Sequence, residues 1–212
     1  MLRYLYGHDL HRFPILRDTM FRDRADQFHN RLGWAVTVDA RGWEQDQYDD
    51  LDPLYVIWEL PDGTHGGSMR LLPTVGRCMV NEHFSYLTDG VHIESPLIWE
   101  CTRFCISQRA DRSAAAALVL GAGEVMARFG LAHYVGVFDP RMERIYRLYG
   151  VQPDVIGTSG SGGERIGVGL WEMQADAWPK TLKRVGVDRA TSARWFEHSL
   201  GGATAEALAE TA

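Results

Sequence analysis

Apolar residues near the start of the chain keep a helical rhythm that gives way to alternation further on. Within residues 9–32, Met20, Arg24 and Phe28 stand four apart, which predicts a helix capped by Asp9, with one arginine in an apolar stripe. Two-residue alternation follows in "WAVTVD" (34–39), read as a strand. The segments "LYVIWEL" (54–60) and "GGSMRLL" (66–72) flank the turn "PDGT" and predict a β-hairpin. "NEHFSYL" (81–87) reads as a short helix.

Residues 97–106 read as a strand and 114–129 as a helix whose stripe is Leu118, Ala122, Val125, Met126 and Phe129, stopped by Gly130. "HYVGVFD" (133–139) is a predicted strand, and "PRMERIYRLYG" (140–150) a helix with Pro140 near its start and Gly150 at its end. Strands follow near 151–157 and 165–173, separated by "GTSGSGGE", then a helix over 176–198. The order describes a mixed α/β sheet with helices on its faces. No internal repeat or long linker divides it, so residues 1–200 are expected to form one domain, with a frayed tail over 201–212.

Composition narrows the classes. The 212 residues carry a formal net charge of −6, which argues against nucleic acid as the main partner. The N-terminus has no apolar signal region and no stretch approaches membrane-spanning length, so a cytoplasmic protein with no membrane partner is expected. The three cysteines (Cys78, Cys101, Cys105) lack a CxxC spacing and read as reduced core thiols. Cys101 and Cys105 share a parity on an extended strand and would lie about 13 Å apart, too far for one metal ion. No metal or cofactor is expected.

The chemistry-bearing positions are few. Arg24, in its apolar stripe, must reach solvent along its stem or find a carboxylate. The loop 39–53 holds six carboxylates (Asp39, Glu44, Asp46, Asp49, Asp50, Asp52), of which Asp46 and Asp49 are natural partners; a solvated acidic loop is the alternative. Arg70, alternating with Met69 and Leu71, poses the same choice. In "IWECTRFCI" (98–106), Glu100 and Arg103 are three apart and would face opposite sides of a regular strand. They can serve one site only if the strand bulges or splays; otherwise they are members of cross-strand ion pairs. "GSGGERIGVG" does not run from a strand into a helix as a dinucleotide loop would, the histidines show no metal-binding spacing, and Ser113 reads as a helix cap. Arg141, Arg144 and Arg147 line one side of a helix, either as a solvated face or as a basic ridge for an acidic partner.

Together these segments resemble the LuxI-type autoinducer synthases, which make acyl-homoserine lactones. The likeness runs through Arg24, Phe28 and Trp34 in "FRDRADQFHNRLGW", Asp46 and Asp49 in "EQDQYDD", and Arg70 in "GSMRLLP". It continues with Phe84 in "NEHF", Glu100 and Arg103 in "ECTRF", and "DPRMERIYRLYG". In order and at family spacing, these cover roughly residues 20–150.

The resemblance implies a fold like the GCN5-related N-acetyltransferases, with a V-shaped splay between the fourth and fifth strands. It implies two substrates, S-adenosylmethionine and an acyl thioester, usually on acyl carrier protein, with acyl-CoA as the other donor. Arg24, Asp46, Asp49, Arg70 and Arg103 would form an ion-pair network ordering the N-terminal segment over S-adenosylmethionine, beside Phe28, Trp34 and Thr102. Glu100 would be the base. Met79, Phe84, Trp99, Phe104, Met126 and Gly136 would line the acyl pocket, and Arg141, Arg144 and Arg147 would meet the carrier. Two departures stand out. Arg112, in "RADRSA", sits where the acetyltransferase pyrophosphate loop has glycine, and Gly136 sits where makers of 3-oxoacyl signals often have threonine. A conventional acetyl-CoA-dependent N-acetyltransferase and a non-catalytic small-molecule sensor are the competing readings.

Overall fold

The computed structural model describes residues 1–173 and 177–209, with residues 201–209 described by their backbone alone. Seven strands form one sheet: β1 (Leu2–Tyr6), β2 (Leu54–Glu59), β3 (His65–Pro73), β4 (Ile98–Ile106), β5 (His133–Phe138), β6 (Asp154–Ser159) and β7 (Ile166–Trp171). Their spatial order is β1-β2-β3-β4-β5-β7-β6. Every neighbour is antiparallel except β4 and β5, which run parallel.

The helices are α1 (Pro14–Arg24), α2 (Met79–His83), α3 (Ser113–Phe129), α4 (Pro140–Tyr149), α5 (Ala177–Val185) and α6 (Arg189–Ala209). The core lies mainly between the sheet and α3, where Leu2, Val56, Met69 and Leu71 meet Leu118, Leu120 and Val125. Leu16, Met20 and Phe21 of α1 cover the other face against Tyr55 and Ile57. Each such side chain contributes about 1.5–3 kcal/mol on burial. Among the described residues, no helix is long and apolar enough to cross a membrane.

The N-terminal "LRYLY", to which the sequence reading assigns no element, is an edge strand paired with β2. Three local expectations need correction. The helix expected over 9–32 starts only at Pro14, whose missing N–H suits a first-turn position, and Asp9 belongs to a separate 3-10 turn (Gly7–Arg12). "WAVTVD" is not a strand: its one bridge joins Val38 to Glu44, and both sides of the sheet's hairpin are already taken by β1 and β4. The helix expected over 176–198 is two, broken near Gly186, whose φ is +78°. The expectation of a frayed tail concerns residues whose side chains, and from 210 onward whose backbone, lie outside the described residues.

β4 carries two irregularities. Ser68 pairs with Cys105 and Arg70 with Thr102, so Met69 alone faces both Arg103 and Phe104. This is a β-bulge, and Arg103 sits in it at φ +53°. On the other edge, pairing with β5 covers only Ile98–Glu100 against His133–Val135, although both strands continue. Beyond Glu100 the two strands part.

Candidate active site

Past the last turn of α1 the helix widens. Residues Ala25–Arg31 form a π-helical stretch in which the Leu32 N–H bonds the Gln27 carbonyl at 3.0 Å. It brings Gln27 and Phe28 over β4. The Gln27 side chain donates to the Phe104 carbonyl (2.8 Å) and accepts from the Ile106 N–H (3.0 Å), acting as a short substitute strand.

Arg24, Arg70 and Arg103 converge with the acidic loop beside it. Arg24 is fully buried and makes two bonds of 2.9 Å to the Asp49 carboxylate and one of 2.7 Å to Glu44. Arg70 reaches Asp46 at 2.5 Å and Asp49 at 2.9 Å, and its Nε donates to the Thr102 hydroxyl at 3.0 Å. Arg103 bridges Asp46 (2.6 Å) and Glu44 (3.0 Å). The expected five-member network therefore exists, and Glu44 and Tyr55 are members that sequence reasoning missed. Tyr55 donates its hydroxyl to Asp49 at 2.6 Å from the neighbouring strand.

The electrostatics follow from proximity. Burial works against the carboxylate of Asp49, but Arg24 and Arg70 outweigh it and hold its pKa well below the usual range. Asp46 is likewise depressed, burial being outweighed by Arg70 and Arg103. Removing one partner would leave a buried charge uncompensated, at about 3–5 kcal/mol.

Glu100 lies on the same face of the sheet, 1% exposed. Its two oxygens accept the N–H groups of Met79 (3.0 Å) and Val80 (2.5 Å) at the start of α2. Burial raises its pKa, and those two amides counter part of the rise. The bulge resolves the parity question: Thr102 and Arg103 both join the Arg70 face, whereas Cys101 and Phe104 pack toward α3. Cys101 and Cys105 consequently face opposite sides, not one; Cys101 contacts the Met69 sulfur at 3.6 Å, and burial pushes its thiol up to about 12.

A cavity of about 490 Å³ passes through the sheet where β4 and β5 part. Glu100, Thr102, Arg103, Phe28 and Trp34 line one side, and Cys101, Phe104, Met126, Gly136 and Trp171 the other. Phe28 and Trp34 stack at 5.1 Å, and the Arg103 guanidinium lies 5.5 Å from the Phe28 ring. Met79 and Phe84 also line the cavity. Trp99 does not: its odd position points it into the α3 core, where its ring lies 5.0 Å from Phe129. Arg144 and Arg147 are exposed on α4, while Arg141 reaches the cavity rim but is held by Asp139 (2.6 Å), the residue that caps α4. Ser113 is not the cap of α3; Arg112 holds that position, and Ser113 donates its N–H and hydroxyl to Asp111.

A sequence model of the autoinducer synthase family matches residues 10–178. An acyl-homoserine-lactone synthase of Rhizobium etli is 40% identical over 183 residues, covering 83% of this chain and 86% of the relative. TofI, solved with an inhibitor and MTA, is 27% identical with a TM-score of 0.66, over 82% of this chain and 90% of TofI. BjaI, described as CoA-dependent and solved with SAM and isopentyl-CoA, superposes with a TM-score of 0.77 at 22% identity, over 88% and 90% of the two chains. The fold also extends to a putative N-acetyltransferase from Lactobacillus plantarum (TM-score 0.53, 14% identity, 81% and 97% covered). A splayed acetyltransferase-like sheet and a family match spanning most of the chain agree: the protein belongs to the autoinducer synthase family and is an acyl-homoserine-lactone synthase.

Proposed function

We propose that the enzyme joins S-adenosylmethionine to an acyl group delivered on acyl carrier protein, and that the parted strands divide the two substrates. The observation that carries the reading is β4 itself, which presents Glu100 and Arg103 to one half of the cavity and Cys101 and Phe104 to the other. The charged half, roofed by Phe28 and Trp34 and ordered by the Arg24–Asp49 and Arg70–Asp46 pairs, holds S-adenosylmethionine. TofI, solved with MTA, supports S-adenosylmethionine as a substrate, since MTA is what remains of it after lactone formation. The apolar half, lined by Phe104, Met126 and Gly136, takes the acyl chain, while Met79 and Phe84 line the cavity on the Glu100 side.

Glu100 accepts the proton of the substrate ammonium, and its raised pKa brings it nearer that task than an exposed carboxylate. The amine nitrogen then bonds the thioester carbon while the thiol leaves, and backbone N–H groups at the splay face the developing oxyanion. Next the substrate carboxylate attacks the carbon bound to the sulfonium, forming the lactone and releasing 5′-methylthioadenosine. This second step needs chiefly a folded substrate.

Two features favour the carrier over free acyl-CoA. Asp111 already occupies the start of α3, accepting from Ser113 at 2.8 Å, and Arg112 stands where close approach of a diphosphate would need glycine. The exposed Arg144 and Arg147 complement an acidic carrier. BjaI makes acyl-CoA the second reading. Gly136 supplies no hydroxyl to bind a 3-oxo group, and a Cβ there would lie 3.0 Å from the Cys101 carbonyl, so an unsubstituted or 3-hydroxy chain is favoured. These substrates place the work in the cytoplasm.

The deciding assay supplies S-adenosylmethionine with matched acyl-carrier and acyl-CoA donors and follows methylthioadenosine and acyl-homoserine lactone by mass spectrometry. Both products with the carrier donor, at higher kcat/KM than with CoA, are expected. Equal or better turnover of acyl-CoA defeats the carrier reading, and acyl transfer without methylthioadenosine defeats the whole scheme. Donors differing only at C3 test the chain preference, which a 3-oxo optimum would overturn.

A further inference from the structure

The acyl half of the cavity is walled by Leu118, Val119, Ala122, Gly123 and Met126 of α3, with Met173 lying just past the end of β7. Gly123 stands inside a helix, where glycine is about 1 kcal/mol worse than alanine. Its φ is not positive, so helix geometry does not require it. Space does. A Cβ on Gly123 would lie 2.3 Å from the terminal methyl of Met173 and 3.3 Å from its sulfur, so the methionine rests against bare helix backbone.

Gly121, two residues earlier, has a different cause, since a Cβ there would strike Val56 of the sheet at 2.5 Å. Residue 123 faces the cavity instead. Methionine is unbranched and easily repositioned, so a side chain at 123 would displace the thioether sooner than the helix. The adjoining free volume is the cavity. We infer that Gly123 and Met173 form an adjustable end wall that sets the acyl-chain length this enzyme accepts, an inference that rests on the acyl-chamber reading above.

The two residues predict opposite outcomes. Shortening Met173 removes wall and deepens the chamber; adding a methyl at Gly123 pushes Met173 inward and shallows it. A general loss of stability moves both variants the same way and cannot produce that divergence.

The experiment measures kcat/KM and lactone product distribution for a donor series stepped by two carbons, with wild type, Met173→Ala, Gly123→Ala and the double variant. Met173→Ala is expected to move the optimum to a longer chain, with about a tenfold change in the ratio of long to short donors. Gly123→Ala is expected to move it shorter by a similar factor, and the double variant to recover longer chains, because the new methyl then has room. An unchanged optimum in Met173→Ala, or shifts of both single variants in one direction, overturns the inference. Should Gly123→Ala not fold, Met173→Ala decides alone. Failure of the acyl-chamber reading looks different: Ala122→Phe, which fills the same chamber away from Met173, would leave turnover and chain preference unchanged for every donor.

Discussion

Arg103 keeps a left-handed backbone at φ +53°, a conformation that costs a side-chain-bearing residue about 1–3 kcal/mol. Bonds to Glu44 and Asp46 and the ring of Phe28 hold it there. Glu44 is the shared partner of Arg24 and Arg103. Glu44→Gln should therefore lower Tm on the order of 10 °C and weaken S-adenosylmethionine binding together. A calorimetric scan within about 2 °C of wild type would show the glutamate to be dispensable. Asp46→Asn tests the outer half of the same network, and full turnover with unchanged affinity would remove its assigned role. Arg24 was legible because a charge in an apolar stripe demands an explanation. Glu44 was not, because in a run of acids only the folding of the loop selects one; the bulky Trp43 beside it was the available hint.

The carboxylates also set the pH response, with opposite signs. Asp46 and Asp49 have depressed pKa values, so their stabilisation is complete above the ordinary carboxylate range of about 4 and is lost as pH falls through their lower folded values. Glu100 is raised, so on its account stability falls as pH climbs from the ordinary value through the folded one. Carbon-13 carboxyl NMR should find Glu100 titrating above about 4.3, and a value at or below that would contradict its burial.

At the scale of elements, a π-helical stretch and a bulge are fitted to each other. Where β5 leaves β4, the side chain of Gln27 takes over two bonds of the open edge. Gln27→Ala leaves the Phe104 carbonyl and Ile106 N–H unpaired, each at about 1–3 kcal/mol if it stays dry. Faster hydrogen exchange at the Ile106 amide is expected; unchanged protection would mean that the clamp is replaceable. No pattern in the sequence announced it, since its partners are backbone atoms. The hairpin β2–β3 and helix α3 were readable because each carries its own period and stop signals. The edge strand β1 was hidden by its brevity, and "WAVTVD" alternates without a free sheet edge to join.

At the scale of the whole molecule, the sheet's far half meets the turn after α2 at a very close approach. A Cβ on Gly157 of β6 would lie 1.6 Å from the Leu87 carbonyl, in the 3-10 turn (Ser85–Thr88) after α2. Gly157→Ala should lift β6 from that turn, lower Tm by several degrees and open residues 151–165 to limited proteolysis. An unaltered cleavage pattern would show that the contact bears no load. The mixed sheet was foreseeable from element order, but this contact joins residues seventy apart and left no local trace. The extra residue in β4 has a consequence of another kind. Side chains along a strand are read in pairs, and the bulge shifts that reading by one, much as an inserted base shifts a coding frame. Deleting Phe104 alone would restore regular pairing with β3 yet turn Arg103 toward the apolar α3 side, away from Glu44 and Asp46. A single-residue deletion here thus exchanges the chemistry of two compartments, whereas a substitution at the same place alters only one.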